Sequence, residues 1–228
     1  MRGYATLALL AALLSACSIP EAKSGGGRSG GGGPSSSASG PPIAVNPQAR
    51  QCLANLGQMG ASFTPLPDRY ISQGCTNLGT VQLTALAADN GQLMIGNLGP
   101  VTCDVTSAFA GWARFGADRA ARQILGSPLR SIETMGSYNC RNVAGSGRRS
   151  AHATAAAIDI SAFVLEDGRR ITVRNHWNNG SSDERRFLRT VQESACKRFA
   201  TVLGPGYNAA HHDHFHVEGV MGTKSFCR

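Results

Sequence analysis

Residues 150–165 read SAHATAAAIDISAFVL and carry the strongest structural signal of the chain. The last ten residues of this stretch, 156–165, are rich in apolar and β-branched side chains and predict a strand. An Asp-Gly pair at 167–168 follows, and residues 170–174 then predict the second strand of a hairpin. Asp159 lies between apolar neighbours of the first strand, where a carboxylate is costly unless it is paired or binds a metal ion.

A helix is predicted on each side of this hairpin. Residues 104–125 have apolar side chains at helical spacing, Asp104 is placed to cap the first turn, and Gly-Ser-Pro at 126–128 ends the run. Residues 183–203 show the same spacing and are followed by Gly-Pro-Gly at 204–206. Both segments are therefore expected to pack an apolar face against a sheet.

Two shorter strands complete the prediction, at residues 129–138 and 212–217. The resulting order is helix, strand, hairpin, helix and strand. Such an order is typical of an α+β domain with a largely antiparallel sheet and flanking helices.

The N-terminal segment has the composition of a targeting signal and a tether. An apolar run at 5–14 is too short for a membrane-spanning helix, which needs roughly 20 residues. Cys17 ends the sequence Leu-Ser-Ala-Cys, which resembles a bacterial lipobox, where the cysteine becomes a lipidated N-terminus. We therefore divide the chain into a lipoprotein signal peptide (1–17), a Gly/Ser/Pro-rich flexible tether (18–47) and a globular domain (48–228).

Six further cysteines are spread over the globular domain, and none forms a C-x-x-C pair. In an exported chain an even number of such cysteines predicts three disulfides, whose pairing the spacing leaves open. These cysteines are Cys52, Cys75, Cys103, Cys140, Cys196 and Cys227. The expected location is the periplasmic side of a bacterial membrane, and a serine rather than an aspartate after Cys17 favours the outer membrane.

The chain is basic, with a formal net charge of +8. Residues 48–228 keep 19 basic and 13 acidic residues, a net charge of +6. This excess suits an anionic polymer such as peptidoglycan, whose stem peptides carry free carboxylates. Nucleic acid is not an expected partner of an exported chain with 6% aromatic residues, and the oligomeric state is left open.

Five of the six histidines lie in two short clusters, at 150–159 and 211–216. Imidazole nitrogens and carboxylate oxygens suit Zn²⁺, and a catalytic zinc needs three protein ligands and one open position. On the predicted final strand, alternation puts His212, His214 and His216 on one face. The two clusters therefore predict a zinc site.

The spacing His152-x6-Asp159, followed by His214-x-His216, resembles the zinc metallopeptidases of the LAS type. That group includes D-alanyl-D-alanine carboxypeptidases, the penicillin-insensitive murein endopeptidase and the hedgehog signalling domain. Its fuller pattern S-x-H-x-x-G-x-A-x-D is matched except at Ala155, where Gly is usual. The resemblance implies an LAS/hedgehog-type fold, with His152, Asp159 and His216 as ligands of one zinc ion per chain.

A closer resemblance covers nearly all of the globular domain. The bacterial extensin-like C-terminal family is similar at SYNCR (137–141), ACKRF (195–199), TVLGP (201–205) and HHDHFH (211–216).

The resemblance leaves two alternatives for the catalytic base. In the carboxypeptidases an acidic residue three positions before the last ligand takes a proton from the attacking water, and Asp213 holds that place. In the murein endopeptidase histidines two and five positions before the ligand line the site, as His214 and His211 do here. We favour Asp213, with His214 and Arg141 as donors to the oxyanion. Because Asp213 would point away from His214 on an ideal strand, this role requires a turn just before His214.

The expected function is zinc-dependent hydrolysis of an amide bond in peptidoglycan stem peptides or crosslinks. An endopeptidase is favoured over a carboxypeptidase because of the paired histidines and the long tether. The alternative is a non-catalytic zinc-containing module that binds the cell wall or signals, since the hedgehog domain keeps its metal without hydrolysis. A periplasmic zinc-buffering lipoprotein is a third hypothesis, which predicts more than one metal site per chain.

Overall fold

The computed structural model describes residues 47–89 and 91–228. The predicted signal peptide, the lipidation site Cys17 and nearly all of the predicted tether lie outside the described residues. Within the described part, no helix is both long and apolar enough to cross a membrane.

Helices and strands follow one another without a repeating unit. The α-helices are α1 (Pro47–Gln58), α2 (Cys103–Trp112), α3 (Val173–Asn179) and α4 (Ser182–Ala195). Two π-helical turns (Ala113–Asp118 and Ala121–Leu125) follow α2, and short 3₁₀ helices lie at Ala151–Thr154 and Ala209–His211. The strands are β1 (Ala61–Pro65), β2 (Arg69–Ser72), β3 (Cys75–Asn77), β4 (Thr80–Ala88), β5 (Gly91–Gly96), β6 (Pro100–Thr102), β7 (Leu129–Gly136), β8 (Ala157–Leu165), β9 (Arg170–Thr172), β10 (Thr201–Leu203), β11 (Phe215–Glu218) and β12 (Phe226–Cys227).

Ten of the strands form one mixed sheet. Its order is β1-β4-β5-β7-β8-β11-β10-β12, with β6 paired to β4 and β9 paired to β8. The pairs β5–β7 and β10–β12 are parallel, and the other pairs are antiparallel. A small separate sheet joins β2 and β3. The predicted α+β class with a largely antiparallel sheet and flanking helices is confirmed.

The predicted helix over 104–125 is confirmed and begins one residue earlier. Thr102 is its N-cap residue, so Asp104 lies in the first turn, where a negative charge is favourable for the helix dipole. The run ends as predicted at Gly126, which adopts the left-handed conformation with a φ of 73°.

The second predicted helix, over 183–203, is too long. A capping box between Ser181 and Glu184 starts α4, and the helix ends at Ala195. Residues Thr201–Leu203 form β10 instead, because this β-branched segment hydrogen-bonds β11 on one side and β12 on the other.

The predicted hairpin over 156–174 is confirmed as β8 and β9, but the final strand begins at Phe215 rather than 212. The Asn208 side chain caps a 3₁₀ turn just upstream, and His212 and Asp213 continue that turn. The prediction that His212 lies on the face of that strand is therefore wrong. The turn that the role of Asp213 requires, just before His214, is present.

The hydrophobic core lies between the sheet and the helices. Trp112 of α2 is completely buried and packs edge-on against Phe163 and Phe199. Its indole Nε1 donates a hydrogen bond to the carbonyl oxygen of Val191 in α4 at 3.1 Å. This single side chain thus connects α2, α4 and the strand that carries Asp159.

Three disulfides form, as predicted. Cys52–Cys103 joins α1 to α2, Cys75–Cys140 joins β3 to the loop after β7, and Cys196–Cys227 joins the end of α4 to β12. The second of these holds the loop that leads to His152.

Candidate metal centre

His152 lies on the 3₁₀ helix between β7 and β8 and is almost completely buried. The Ser150 side chain accepts a hydrogen bond from the His152 backbone N–H at 3.4 Å and so caps this helix. The Nδ1 atom of His152 lies 2.7 Å from the carbonyl oxygen of Ser137. Because a carbonyl oxygen only accepts, Nδ1 carries a proton, and in the neutral ring Nε2 keeps a lone pair for a cation.

Asp159 and His216 lie on the adjacent antiparallel strands β8 and β11, where the register pairs them directly. Residues paired in this way project from the same face of the sheet. The Nδ1 atom of His216 is 2.9 Å from Asp159 Oδ1, and its Nε2 is 3.1 Å from Glu218 Oε2. Nε2 can therefore donate to Glu218 while Nδ1 faces the site.

Three ligand atoms converge, one from each of His152, Asp159 and His216, and all lie within 4.8 Å of one another. His152 Nε2 is 3.2 Å from Asp159 Oδ2 and 3.1 Å from His216 Nδ1. In a tetrahedral zinc site with bonds of ~2.0–2.1 Å, ligand atoms lie about 3.3 Å apart, so this donor set fits a zinc-sized ion. Both imidazoles are oriented through their other nitrogen, as metal-binding histidines generally are.

The electrostatics of the metal-free group are those of an ion pair. Burial alone would raise the pKa of Asp159, but hydrogen bonds to His152 and His216 lower that pKa far below its usual range. Burial opposes protonation of His216, yet hydrogen bonds to Asp159 and Glu218 raise its pKa to about 9. A metal ion that binds at neutral pH must therefore displace a proton from His216.

The ligand group opens into a cavity of about 450 Å³. The loop after β7 and the segment before β11 form its walls. Its polar lining includes Arg141, Arg148, Asn208, His211, His214 and His216. A larger concavity of about 650 Å³ lies between α1, α2 and the C-terminal segment, but none of the three ligand residues lines it.

His214 and Asp213 form a hydrogen-bonded pair beside the ligands. His214 Nδ1 is 2.9 Å from Asp213 Oδ1, and its Nε2 is 3.5 Å from Asp159 Oδ1. When Nδ1–H is donated to the carboxylate, Nε2 of the neutral ring is unprotonated, and it faces the ligand group. Asp213 therefore lies behind the His214 ring and lines a separate hollow rather than the cavity.

His211 lines the cavity as a neutral imidazole. Its Nδ1 lies 2.7 Å from Asn208 Oδ1, and its ring packs against Tyr207 at a centroid distance of 5.6 Å. Burial, together with the nearby rings of His214 and His216, lowers the pKa of His211 to about 4. At neutral pH the ring is therefore uncharged, and its Nε2 can accept a hydrogen bond.

A protein-family model described as the C-terminus of extensin-like proteins matches residues 50–228. The chain belongs to the extensin-like family. No curated protein and no solved structure matches it. The match confirms the closer of the two resemblances noted in the sequence and covers every residue of the candidate centre.

The extensin-like domain has a left-handed backbone at the position where the LAS-type sequence pattern has Gly. Ala155 has a φ of 54° and ends the 3₁₀ helix that carries His152. It is fully buried, and its carbonyl oxygen accepts a hydrogen bond from the Thr102 backbone N–H at 3.0 Å. The methyl group is therefore tolerated at the cost of backbone strain.

Sequence reasoning missed the groups that orient the ligands of the extensin-like domain. Glu218, two residues after His216 on β11, carries a weak signal, since a carboxylate there shares the strand face of the ligand. The carbonyl oxygen of Ser137 carries none, because its contact with His152 depends on how a distant segment folds. The Asn208 side chain orients His211 rather than a ligand, and as a local helix cap it carries a weak signal.

Proposed function

We propose that this extensin-like protein is a zinc-dependent hydrolase that cleaves an amide bond in peptidoglycan stem peptides or crosslinks. The convergence of His152, Asp159 and His216 beside an open cavity is the observation that supports this most strongly. Structural zinc sites are closed by four protein ligands, whereas three ligands leave a position for reacting groups. The resemblance to LAS-type peptidases supports the same reaction class and the corresponding fold.

The protein would hold zinc through His152 Nε2, one Asp159 oxygen and His216 Nδ1. When bound, zinc supplies Lewis acidity that polarises a scissile carbonyl and activates a water molecule. Ser137 and Glu218 fix the tautomers of the two histidines, which keeps the ligand atoms directed at one point.

Proton transfer is assigned to His214, with Asp213 as its positioning residue. The carboxylate accepts the Nδ1–H of His214 and leaves Nε2 free on the side of the ligands. From the sequence Asp213 itself was favoured as the base, but its place behind the His214 ring supports the histidine alternative. Arg141, which lines the cavity, would stabilise the negative oxygen that develops on the substrate. His211, a neutral ring whose Nδ1–H faces Asn208, would accept a hydrogen bond from the substrate through Nε2.

The basic cavity wall supports an acidic substrate. Arg141 and Arg148 are exposed at its rim, and peptidoglycan stems carry free carboxylates. A lipid at Cys17 and the tether of residues 18–47 would carry the domain from the periplasmic side of the outer membrane to the wall.

Mass spectrometry of crosslinked muropeptides incubated with the purified protein, disulfides intact, tests this proposal. We expect dimers to disappear or stems to shorten, the reaction to stop with a chelator and to return with zinc. His216→Ala should abolish cleavage and metal binding. His176→Ala, which alters the histidine outside both clusters and lines neither the cavity nor the separate hollow, is the matched control and should leave both intact.

The proposal fails if no peptide is cleaved by protein that carries one zinc ion per chain. The cell-wall-binding module would then become the leading hypothesis, and pull-down with purified cell walls would test it.

A further inference from the structure

A second hollow lies on the other side of His214 from the cavity. Its volume is about 200 Å³. It is lined by Met135, Ser161, Arg170, Thr172, Arg174, Asn175 and Asp213. Because Asp213 is hydrogen-bonded to His214, which lines the cavity, the His214 ring separates two adjoining spaces.

The floor of the hollow is continuous with the ligand group. Ser161 follows Asp159 by two residues on β8, so both side chains project from the same face of the sheet. Two residues of a strand span about 6.7 Å, which is also the length of two residues of an extended peptide. A peptide that runs along β8 with its reacting amide at the ligands would therefore place its next residues over Ser161.

The hollow contains one arginine that is paired and one that is not. Arg170 Nε lies 3.0 Å and 3.1 Å from the two Glu133 carboxylate oxygens, and this pairing neutralises its charge. Arg174 is exposed and makes no ion pair or side-chain hydrogen bond with any residue of 47–89 or 91–228. Asn175 adds an exposed amide beside it. This pair can bind a carboxylate without breaking an existing contact.

We infer that this hollow is a second substrate subsite, in which Arg174 and Asn175 bind a free carboxylate of an acidic peptide. The cavity rim, with Arg141 and Arg148, would bind the acidic groups on the other side of the reacting amide. A reacting amide that has peptide and carboxylates on both of its sides lies inside a crosslink. Cleavage of a terminal residue would instead leave one of the two binding spaces empty. The inference rests on the proposed function and makes the enzyme an endopeptidase for crosslinked stems.

Steady-state kinetics of the Arg174→Ala variant test the subsite. The substrates are one crosslinked muropeptide dimer with free carboxylates and the same dimer with those carboxylates amidated. We expect the variant to lose about tenfold in kcat/KM on the free dimer, mostly through KM, because a charged hydrogen bond is lost. The amidated dimer should be cleaved equally by both proteins.

Arg50→Ala is the matched control, because Arg50 is an exposed arginine on α1 that lines neither space. If the wild type cleaves both dimers and Arg174→Ala has the same kinetics as Arg50→Ala on each of them, the subsite inference is overturned. The hydrolase proposal is then unaffected. If the wild type cleaves neither dimer, the hydrolase proposal fails. Calorimetric binding of the two dimers then decides the subsite, which stands if Arg174→Ala weakens binding of the free dimer alone and falls otherwise.

Discussion

Asp159 and His216 lie on neighbouring strands, whereas His152 and Arg141 lie in the loop between β7 and β8. We refer to these as the strand-borne pair and the loop-borne pair. Ladder hydrogen bonds of β8 and β11 fix the register of the strand-borne pair, so its spacing follows from the sheet itself. The loop-borne pair depends on a capping serine, a left-handed alanine and a disulfide to β3.

This difference predicts that the two pairs can be disturbed separately. A change in the register of a sheet moves every side chain on the strand. The positions of the strand-borne pair can therefore be disrupted only if the sheet itself unfolds. The loop-borne pair can be displaced while the sheet stays intact, because its supports are few and local.

The largest expected effect comes from removal of the Cys75–Cys140 disulfide. The double variant Cys75→Ser/Cys140→Ser should lose ~4 kcal/mol of unfolding free energy, because its unfolded chain is no longer constrained by a closed loop. Its zinc affinity should also fall, since the Ser137 carbonyl that orients His152 lies in the released loop. Urea unfolding and competitive zinc titration measure the two effects.

The Cys196→Ser/Cys227→Ser variant is the matched control. Its disulfide closes a loop of similar entropic weight but joins α4 to β12, two strands from His216 and outside the loop that carries His152. It should lose similar stability and keep its zinc affinity. Equal affinities in both variants would show that the loop-borne pair needs no covalent support.

The strand-borne pair should make the stability of the metal-free protein dependent on pH. The pKa of His216 is raised from 6.5 to about 9 in the folded state, so its stabilising contribution is complete below pH 6.5 and is lost as the pH rises through 9. The expected loss is at most about 3 kcal/mol. Urea unfolding at several pH values in the presence of a chelator measures it.

His216→Gln should abolish most of this pH dependence, and His212→Gln, at an exposed histidine, should retain it. A flat profile for the unmodified protein would mean that the strand-borne pair carries no ion pair without metal.

The roles of Asp213 and His214 can be separated by a double-mutant cycle. If Asp213 acts through His214, His214→Ala should lower kcat about 100-fold or more, and adding Asp213→Ala should cost little further. Asp213→Ala alone should cost about 10- to 100-fold, as for groups that orient a functional histidine. Additive losses would instead assign proton transfer to Asp213 directly.

The smallest effect is expected at Ala155. Replacement by Gly relieves about 1 kcal/mol of left-handed strain but removes a buried methyl group worth about 0.8 kcal/mol, so the unfolding free energy should hardly change. Ala153→Gly removes a buried methyl without such relief and should cost about 1 kcal/mol more. Equal losses would show that the loop-borne pair stores no backbone strain.

The sequence predicted those parts whose signal is local. The hairpin of β8 and β9 and the helix end at Gly126 follow from patterns within a few residues. The grouping of His152, Asp159 and His216, which are spread over 64 positions of the chain, was implied only by the family resemblance, and the structure brings the three side chains together. The end of α4 was missed because Phe199 and Val202 are buried at helical spacing although they lie beyond the helix. Burial alone does not distinguish a helix from a strand over so short a span.

The N-terminal half of the sheet was not predicted at all. Strands β1, β2, β3, β5 and β6 are short, and in Thr80–Ala88 the alternation of buried and accessible side chains holds only from Val81 to Ala85, because Leu86 is buried as well. The disulfide pairing and the place of Asp213 behind His214 also depend on distant segments that no local pattern records.

The connectivity of the first four cysteines of the globular domain has a consequence for how the chain is made. Cys52 pairs with Cys103 and Cys75 with Cys140, so the two segments that the disulfides close overlap in the sequence rather than follow one another. Oxidation in order of synthesis would join neighbours in the chain and produce two wrong bonds. Native protein therefore requires either noncovalent folding before oxidation or thiol exchange afterwards, and its yield should depend on a disulfide isomerase.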